Sequence, residues 1–169
     1  MKQPICITFA GVPGSGKTPI TNFLSTKIDF PIFNNDAIRS EVIENYGFLD
    51  EKVHLKIRNE RLLEIMEQGK SFILDASIDR VWFEKKNLMK KFNYKVFIIS
   101  LDLGENLIKK GYKNKNYTSF LEDFDTLFTD HKKFLEHFSD EVNLHITDLE
   151  YKNRLKLSFE AVNEFLKNN

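Results

Sequence analysis

Short apolar runs alternate along this chain with longer stretches in which apolar residues recur every three or four positions. The apolar runs predict strands near residues 5–10, 31–33, 71–74, 95–101 and 142–146. The longer stretches predict helices near residues 18–27, 36–46, 50–69, 79–92, 105–111, 119–138 and 148–167. Strands that alternate with helices are typical of parallel βαβ units. The pattern therefore predicts one three-layer α/β/α domain over residues 1–169, with helices on both faces of a parallel sheet.

The turn between the first strand and the first helix contains the strongest chemical signal. Residues 11–18 read Gly-Val-Pro-Gly-Ser-Gly-Lys-Thr, which fits the pattern G-x-x-x-x-G-K-[ST] of a phosphate-binding loop, or P-loop. Its glycines let successive N–H groups point at a phosphate, and the following helix adds the partial positive charge of its N-terminus. The residues expected to contact the nucleotide are Pro13, Gly14, Ser15, Gly16, Lys17 and Thr18. The sequence thus predicts binding of ATP, or another nucleoside triphosphate, with Mg²⁺.

The metal needs protein oxygen atoms, and the P-loop supplies one of them. Lys17 is expected to bridge the β- and γ-phosphates, while the Thr18 hydroxyl ligates Mg²⁺. An acidic partner is expected where an apolar strand ends, and both Asp75 and Asp102 lie at such ends. We favour Asp75, because in related folds the strand beside the P-loop strand is the one that ends there. The alternative is that each aspartate only ends a strand or caps a helix.

Further along the chain, the order of several short segments resembles a known family. Residues 34–39 read Asn-Asn-Asp-Ala-Ile-Arg, residues 73–77 read Ile-Leu-Asp-Ala-Ser, and a lysine-rich stretch precedes a long helix. Over essentially the whole chain, this order resembles small P-loop kinases of the polynucleotide-kinase and zeta-toxin type. The resemblance implies a five-stranded parallel sheet in the order 2-3-1-4-5. It also implies a lid that closes over the nucleotide, here near residues 109–118.

The same resemblance gives roles to two residues that follow the second strand. It implies that Asp36 takes the proton from an acceptor hydroxyl and that Arg39 helps to place the acceptor. The residue pattern agrees, because Asp36 falls at the carboxyl edge of the sheet, where α/β proteins bind ligands. A hydroxyl that attacks a γ-phosphate needs a proton acceptor, and one carboxylate suffices. The alternative is that Asp36 only caps its helix.

The lid departs from the family pattern. Family members usually place arginines there, but this chain has no arginine between Arg80 and Arg154. Lysine supplies charge without the planar fork of a guanidinium, so one of the lysines, or Arg80, is expected to contact the phosphates. A solvated turn is the alternative. The lysines of the segment are Lys109, Lys110, Lys113 and Lys115, of which we select Lys109 and Lys113 as candidates.

The composition and net charge of the chain limit the kinds of molecule that it is expected to bind. The 25 basic and 25 acidic side chains cancel, so no overall field attracts nucleic acid or a membrane surface. Cys6 is the single cysteine, which favours a reducing, cytoplasmic compartment. The start of the chain, Met1 and Lys2 followed by apolar residues, is not interpreted as a signal peptide, because the apolar run leads directly into the P-loop. We expect a small-molecule or nucleotide acceptor, or a nucleic-acid end, and a monomer or weak dimer.

Three functions fit these observations. The first is an ATP-dependent kinase that transfers the γ-phosphate to a hydroxyl of a small molecule, nucleotide or nucleic-acid end. The second is a nucleotide-binding switch or slow NTPase, which the arginine-free lid favours. The third is a toxin-like kinase that acts on a nucleotide sugar. Among weaker signals, His131 lies in an apolar helical stripe and is predicted to be a core or groove-edge histidine rather than a catalytic one.

Overall fold

The five predicted strands form one parallel sheet in the computed structural model, which describes residues 3–169 apart from the side chain of Ser119. The order is β2-β3-β1-β4-β5, which confirms the predicted topology. Met1 and Lys2, the basic start discussed above, lie outside the described residues. The strands are β1 (Ile5–Ala10), β2 (Ile32–Asn34), β3 (Phe72–Ser77), β4 (Lys95–Leu101) and β5 (Leu144–Ile146).

Helices connect these strands and cover both faces of the sheet. They are α1 (Lys17–Ile28), α2 (Asn35–Tyr46), α3 (Glu51–Glu67), α4 (Trp82–Lys91), α5 (Glu105–Lys115), α6 (Ser119–Glu122), α7 (Phe124–Phe138) and α8 (Arg154–Lys167). Two 3₁₀ turns, Ser139–Glu141 and Tyr151–Asn153, precede β5 and α8. Within residues 3–169, no helix is both long enough and apolar enough to cross a membrane.

The central strand β1 is buried along its whole length, between β3 and β4. Successive side chains of a strand point to opposite faces, so β1 supplies both layers of the core. Ile7 and Phe9 pack in the cluster that contains residues of α1 and α8, whereas Cys6 packs in a second cluster with Leu62 and Met66 of α3. A strand held on both sides and both faces is a rigid base for the loop that follows it.

Several boundaries differ from the sequence prediction. Helix α5 continues through Gly111 to Lys115, and the single helix predicted over residues 119–138 is two helices that meet at Asp123. Strand β3 extends past Asp75 to Ser77, and α8 begins at Arg154. The final helix was predicted to start with Asp148 as its cap, and this was wrong, because Asp148 lies ahead of the helix and accepts a hydrogen bond from the N–H of Gly104 at 2.8 Å. Most of the predicted lid segment is therefore the end of a regular helix.

Candidate functional site

The P-loop follows β1 directly and owes its shape to its glycines. Gly14 and Gly16 have φ angles of 74° and 106°, which L side chains rarely adopt. A Cβ at Gly14 would lie 2.7 Å from the Tyr112 ring, and one at Gly16 would lie 2.9 Å from the Tyr151 hydroxyl. The glycines of the motif therefore serve both the curvature of the loop and the close approach of two tyrosines.

The Lys17 side chain is folded back onto the loop. It is buried, and its ammonium donates to the carbonyl oxygens of Gly11 at 2.8 Å and Val12 at 2.7 Å. Burial lowers the pKa of Lys17 to about 8, against the attraction of the Asp79 and Asp75 carboxylates. The ammonium therefore lies inside the P-loop, where it can exchange these carbonyls for phosphate oxygens.

Thr18 and Asp75 come together as the sequence predicts. The Thr18 hydroxyl lies 3.4 Å from Asp75 Oδ1, and the buried Thr21, one helical turn later, donates to the same oxygen at 3.2 Å. Burial raises the pKa of Asp75, and the two hydroxyls oppose that rise. A hydroxyl and a carboxylate are the hard oxygen ligands that Mg²⁺ prefers. Thr21 was not predicted, although its spacing of three residues from Thr18 places it on the same helix face.

The described residues contain no cluster of three or more histidine, cysteine or acidic side chains that could hold a metal by themselves. This arrangement is compatible with Mg²⁺, which is usually bound by one or two carboxylates together with substrate phosphates and water. Thr18 and Asp75 could supply two such oxygen ligands.

Asp36 lies at the start of α2, next to the strand that carries Asp75. The side chain of Asn34 caps this helix, since it accepts from the N–H groups of Asp36 at 2.8 Å and Ala37 at 3.2 Å. The alternative in which Asp36 serves only as the cap is therefore wrong. Asn34 pairs with Asp75 in the sheet, so Asp36, two residues later, begins its helix at the sheet edge where Asp75 lies. The Asp36 charge raises the pKa of both Lys17 and Asp75.

Arg39 and Arg80 are each engaged in an ion pair. The guanidinium of Arg39 lies 3.6 Å from Glu51 at the start of α3, and both side chains are exposed. Arg80, after β3, lies 3.3 Å from Asp130 of α7. Neither arginine contacts the P-loop in this arrangement, so both would have to exchange partners to reach a ligand.

The end of α5 contacts the P-loop through a tyrosine and a lysine. The Tyr112 hydroxyl donates to the carbonyl oxygen of Pro13 at 2.7 Å, and Lys115 donates to that of Gly14 at 3.1 Å. Lys109 instead pairs with Glu105 at 3.1 Å and lies 4.4 Å from the centre of the Phe124 ring. Lys113 is exposed on α5. Of the predicted lid lysines, the structure brings Lys115 to the loop, not the two that we selected.

Arg154, the first residue of α8, is a neighbour of the P-loop that the sequence did not reveal. Its guanidinium stacks 4.3 Å from the Tyr151 ring, and its Nε lies 3.3 Å from the position of a Cβ on Gly16. The pKa of Lys115 is lowered by burial and by the charge of Arg154. A lysine and an arginine therefore approach the loop together, 39 positions apart in the sequence.

A buried chain of charged groups lies beneath the start of the P-loop. The Gly11 N–H donates to both carboxylate oxygens of Asp79, at 3.1 and 3.2 Å. His131 of α7 lies between two aspartates, with Nδ1 3.3 Å from Asp79 and Nε2 3.3 Å from Asp102. Asp102 also contacts the exposed His145 of β5. The predicted buried position of His131 is confirmed, and Asp102 is engaged away from Thr18.

A cavity of about 140 Å³ opens beside the loop, between the segment after β3 and helix α7. Its walls contain apolar side chains together with the Arg80–Asp130 ion pair. The lining residues are Pro13, Ser77, Asp79, Arg80, Val81, Leu127 and Asp130. This cavity adjoins the phosphate site and is polar enough to receive a hydroxylated molecule.

Comparison with solved structures gives a consistent picture of the fold. A gluconokinase from Sinorhizobium meliloti 1021 superposes with a TM-score of 0.64 and 16 % identity, covering 99 % of this chain and 97 % of that one. Deoxyadenosine kinase from M. mycoides has a TM-score of 0.59 and 13 % identity, covering 97 % of this chain and 100 % of that one.

The structure of the PezAT chromosomal toxin–antitoxin system of Streptococcus pneumoniae is similar as well. Its TM-score is 0.61 at 18 % identity, and the match covers 82 % of this chain and 66 % of that one. No protein-family model and no curated protein sequence matches the chain. The sheet order, the P-loop and these superpositions together show that the chain has the P-loop kinase fold.

Proposed function

We propose that this protein is an ATP-dependent phosphotransferase that moves the γ-phosphate to a hydroxyl group of a small molecule or nucleotide. The observation that carries the proposal is the convergence of three groups at one edge of the sheet. These are the P-loop ammonium of Lys17, the Thr18–Asp75 oxygen pair, and the Asp36 carboxylate, whose charge acts on both Lys17 and Asp75. A kinase that phosphorylates a hydroxyl needs a nucleotide site and, beside it, a carboxylate that is free to accept the hydroxyl proton.

The residues divide the reaction between them. Lys17 and the P-loop N–H groups would hold the β- and γ-phosphates, and Thr18 and Asp75 would hold Mg²⁺, which would supply positive charge to the phosphates. Asp36 accepts the proton of the acceptor hydroxyl. The acceptor oxygen forms a bond to the γ-phosphorus while the bond between that phosphorus and the β–γ bridging oxygen breaks, which releases ADP. In this proposal the proton remains on Asp36 until product leaves.

Lys115 and Arg154 replace the lid arginines in this proposal. Both lie at the P-loop, and both carry the charge that a transferring phosphoryl group requires. Arg39 would leave Glu51 to hold the acceptor, and Arg80 would serve the cavity beside the loop. Lys109 and Lys113 would have to move toward the nucleotide to take part.

The acceptor class follows from the similar kinases and from the cavity. The names gluconokinase and deoxyadenosine kinase refer to a sugar acid and a nucleoside, both small and hydroxylated. The cavity of about 140 Å³ beside the loop has Arg80, Asp79 and Asp130 in its walls. It would hold only a part of such a molecule, because Asp36 and Arg39 do not line it. The narrower polynucleotide-kinase or zeta-toxin-like reading, with a nucleotide-sugar acceptor, is a specific form of this proposal, and the likeness to the PezAT system supports testing it.

The test is transfer of labelled phosphate from ATP and Mg²⁺ to a panel of sugar acids, nucleosides, nucleotide sugars and oligonucleotide ends. Asp36→Asn should reduce transfer by about 10²- to 10⁴-fold while leaving ATP binding intact. Glu44→Gln is the matched control, because Glu44 is exposed on the same helix, and it should leave transfer unchanged. Equal rates for Asp36→Asn and the parent would show that Asp36 is not the base.

A nucleotide-dependent switch is the second candidate, favoured by the contacts that already join α5 to the P-loop. In that case a nucleotide would shift the position of α5 without transfer to any acceptor. Hydrogen exchange of α5 amides with and without ATP would detect the shift. Exchange that changes with nucleotide, in a protein that phosphorylates nothing in the panel, would favour the switch over the kinase.

A further inference from the structure

We propose that His131 is a positioning residue for the P-loop, in a protein that binds a nucleotide as proposed above. It acts as a cation held between Asp79 and Asp102, and in this way it fixes the Asp79 carboxylate against the Gly11 N–H. The orientation of the first P-loop peptide, and with it the affinity for nucleotide, then depends on the charge of a side chain that touches no ligand.

Asp79 is hydrogen-bonded to Gly11, the first residue of the P-loop. Gly11 has a φ of 130°, and both Asp79 oxygens accept its N–H. The segment before Asp79 is itself attached to β1, because the Ile78 N–H donates to the Phe9 carbonyl oxygen at 3.0 Å. The register between β1 and β3 shifts just before this point, where Phe9 pairs with Ser77. The shift brings Asp79 to the place where the P-loop leaves the sheet.

The surroundings of the His131 ring favour its protonated form. Its two nitrogens face one carboxylate each, at 3.3 Å, and the residue is only 3 % exposed. A neutral imidazole has a proton on one nitrogen and a lone pair on the other, so one carboxylate would face a lone pair. Only the cation has an N–H on the nitrogen that faces each aspartate, and only the cation forms an ion pair with both. Burial alone lowers the pKa of His131, but the contacts with Asp102 and Asp79 outweigh it and raise the pKa to about 9.

Other charged groups lie around this histidine. Asp79 follows β3, Asp102 follows β4, and His145 of β5 lies on the far side of Asp102. On the P-loop side, Asp79 also attracts the Lys17 ammonium. Without a positive His131, Asp79 would be a buried anion that still attracts the Lys17 ammonium. It would compete with the phosphates for that ammonium and add a negative charge beneath the site.

His131→Gln tests the proposal, because glutamine keeps hydrogen-bonding groups without the charge. His137→Gln is the matched control, since His137 is an exposed histidine of the same helix whose ring contacts the backbone carbonyl of Lys133. At pH 7, isothermal titration with ADP and Mg²⁺ should show binding at least tenfold weaker for His131→Gln. The control should bind within twofold of the parent. Equal affinity of His131→Gln and the parent would overturn the proposal.

A second measurement needs no variant and no nucleotide. NMR spectra of the parent between pH 6 and 10 should show the Gly11 amide shifting with the same midpoint as the His131 ring carbons, near pH 9. A Gly11 amide that ignores the titration of His131 would overturn the proposal, even if His131→Gln fails to fold. If the parent binds no nucleotide, the proposed function fails, whereas the coupling of Gly11 to His131 is judged separately by these spectra.

Discussion

The stability of the protein should fall as the pH rises above neutrality, because of His131. The pKa of His131 is about 9 in the folded chain, compared with an ordinary value of 6.5. A raised pKa means that the folded state binds a proton more tightly than the unfolded state does. The stabilisation is therefore complete below pH 6.5 and is lost as the pH rises through 9. The difference between the folded and the ordinary pKa corresponds to about 3 kcal/mol of stability, at about 1.4 kcal/mol for each pKa unit.

Lys17 limits the window in which this effect can be measured. Its pKa is lowered from 10.5 to about 8, so its contribution has the opposite sign and raises stability as the pH increases above 8. Between pH 6.5 and 8 the histidine dominates. In that interval the free energy of unfolding of the parent should fall by about 2 kcal/mol, out of the roughly 5–15 kcal/mol typical of a domain.

The assay is urea denaturation at half-unit steps from pH 6 to 9, for the parent, His131→Gln and His137→Gln. The parent and His131→Gln curves are compared between pH 6.5 and 8, where Lys17 has not yet lost most of its proton in the folded state. The difference should decrease with pH, and the His137→Gln curve should follow the parent. A difference that stays constant from pH 6.5 to 8 would refute the conclusion that the folded state holds His131 as a cation.

Two further substitutions test the hydrogen bond from Thr21 to Asp75 and the hydrogen bond from Tyr112 of α5 to the P-loop. Thr21→Val removes a hydroxyl from the Asp75 carboxylate, so urea denaturation should show a loss of about 2 kcal/mol, whereas the exposed Thr26→Val should cost under about 0.5 kcal/mol; equal losses would contradict the contact. Tyr112→Phe removes the hydrogen bond to Pro13 and should cost about 1 kcal/mol and speed amide exchange at the end of α5, while unchanged exchange would show that this bond does not hold the helix.

The parts of the site that follow one another closely in sequence were predictable. The P-loop is a continuous segment, and the apolar strand that precedes Asp75 marks it as a candidate. Asp102 also follows an apolar strand, so the pairing of Asp75 with Thr18 came from the strand arrangement of related folds. The strand order came from the family resemblance, and the superpositions and the sheet confirm it. The roles of Asp36 and Arg39 stay predictions until transfer is measured.

The parts that depend on long-range packing were not predictable. Arg154 reaches Gly16 only because α8 packs across α1, and no local pattern marks an arginine at the start of a C-terminal helix. Gly111 was expected to end α5, since glycine costs a helix about 1 kcal/mol. The burial of the next residue, Tyr112, and its bond to the P-loop offset that cost and extend the helix to Lys115.

The position of the Lys17 ammonium has a consequence for how the protein should be inactivated in experiments. This side chain donates hydrogen bonds to the carbonyl oxygens of Gly11 and Val12. Lys17→Ala would leave those oxygens without their donor, at a cost of about 1–3 kcal/mol for each one that stays buried. Loss of effect in cells that express Lys17→Ala would therefore combine a lower amount of folded protein with a loss of nucleotide binding. Asp36→Asn, whose helix is capped by Asn34, separates loss of chemistry from loss of fold.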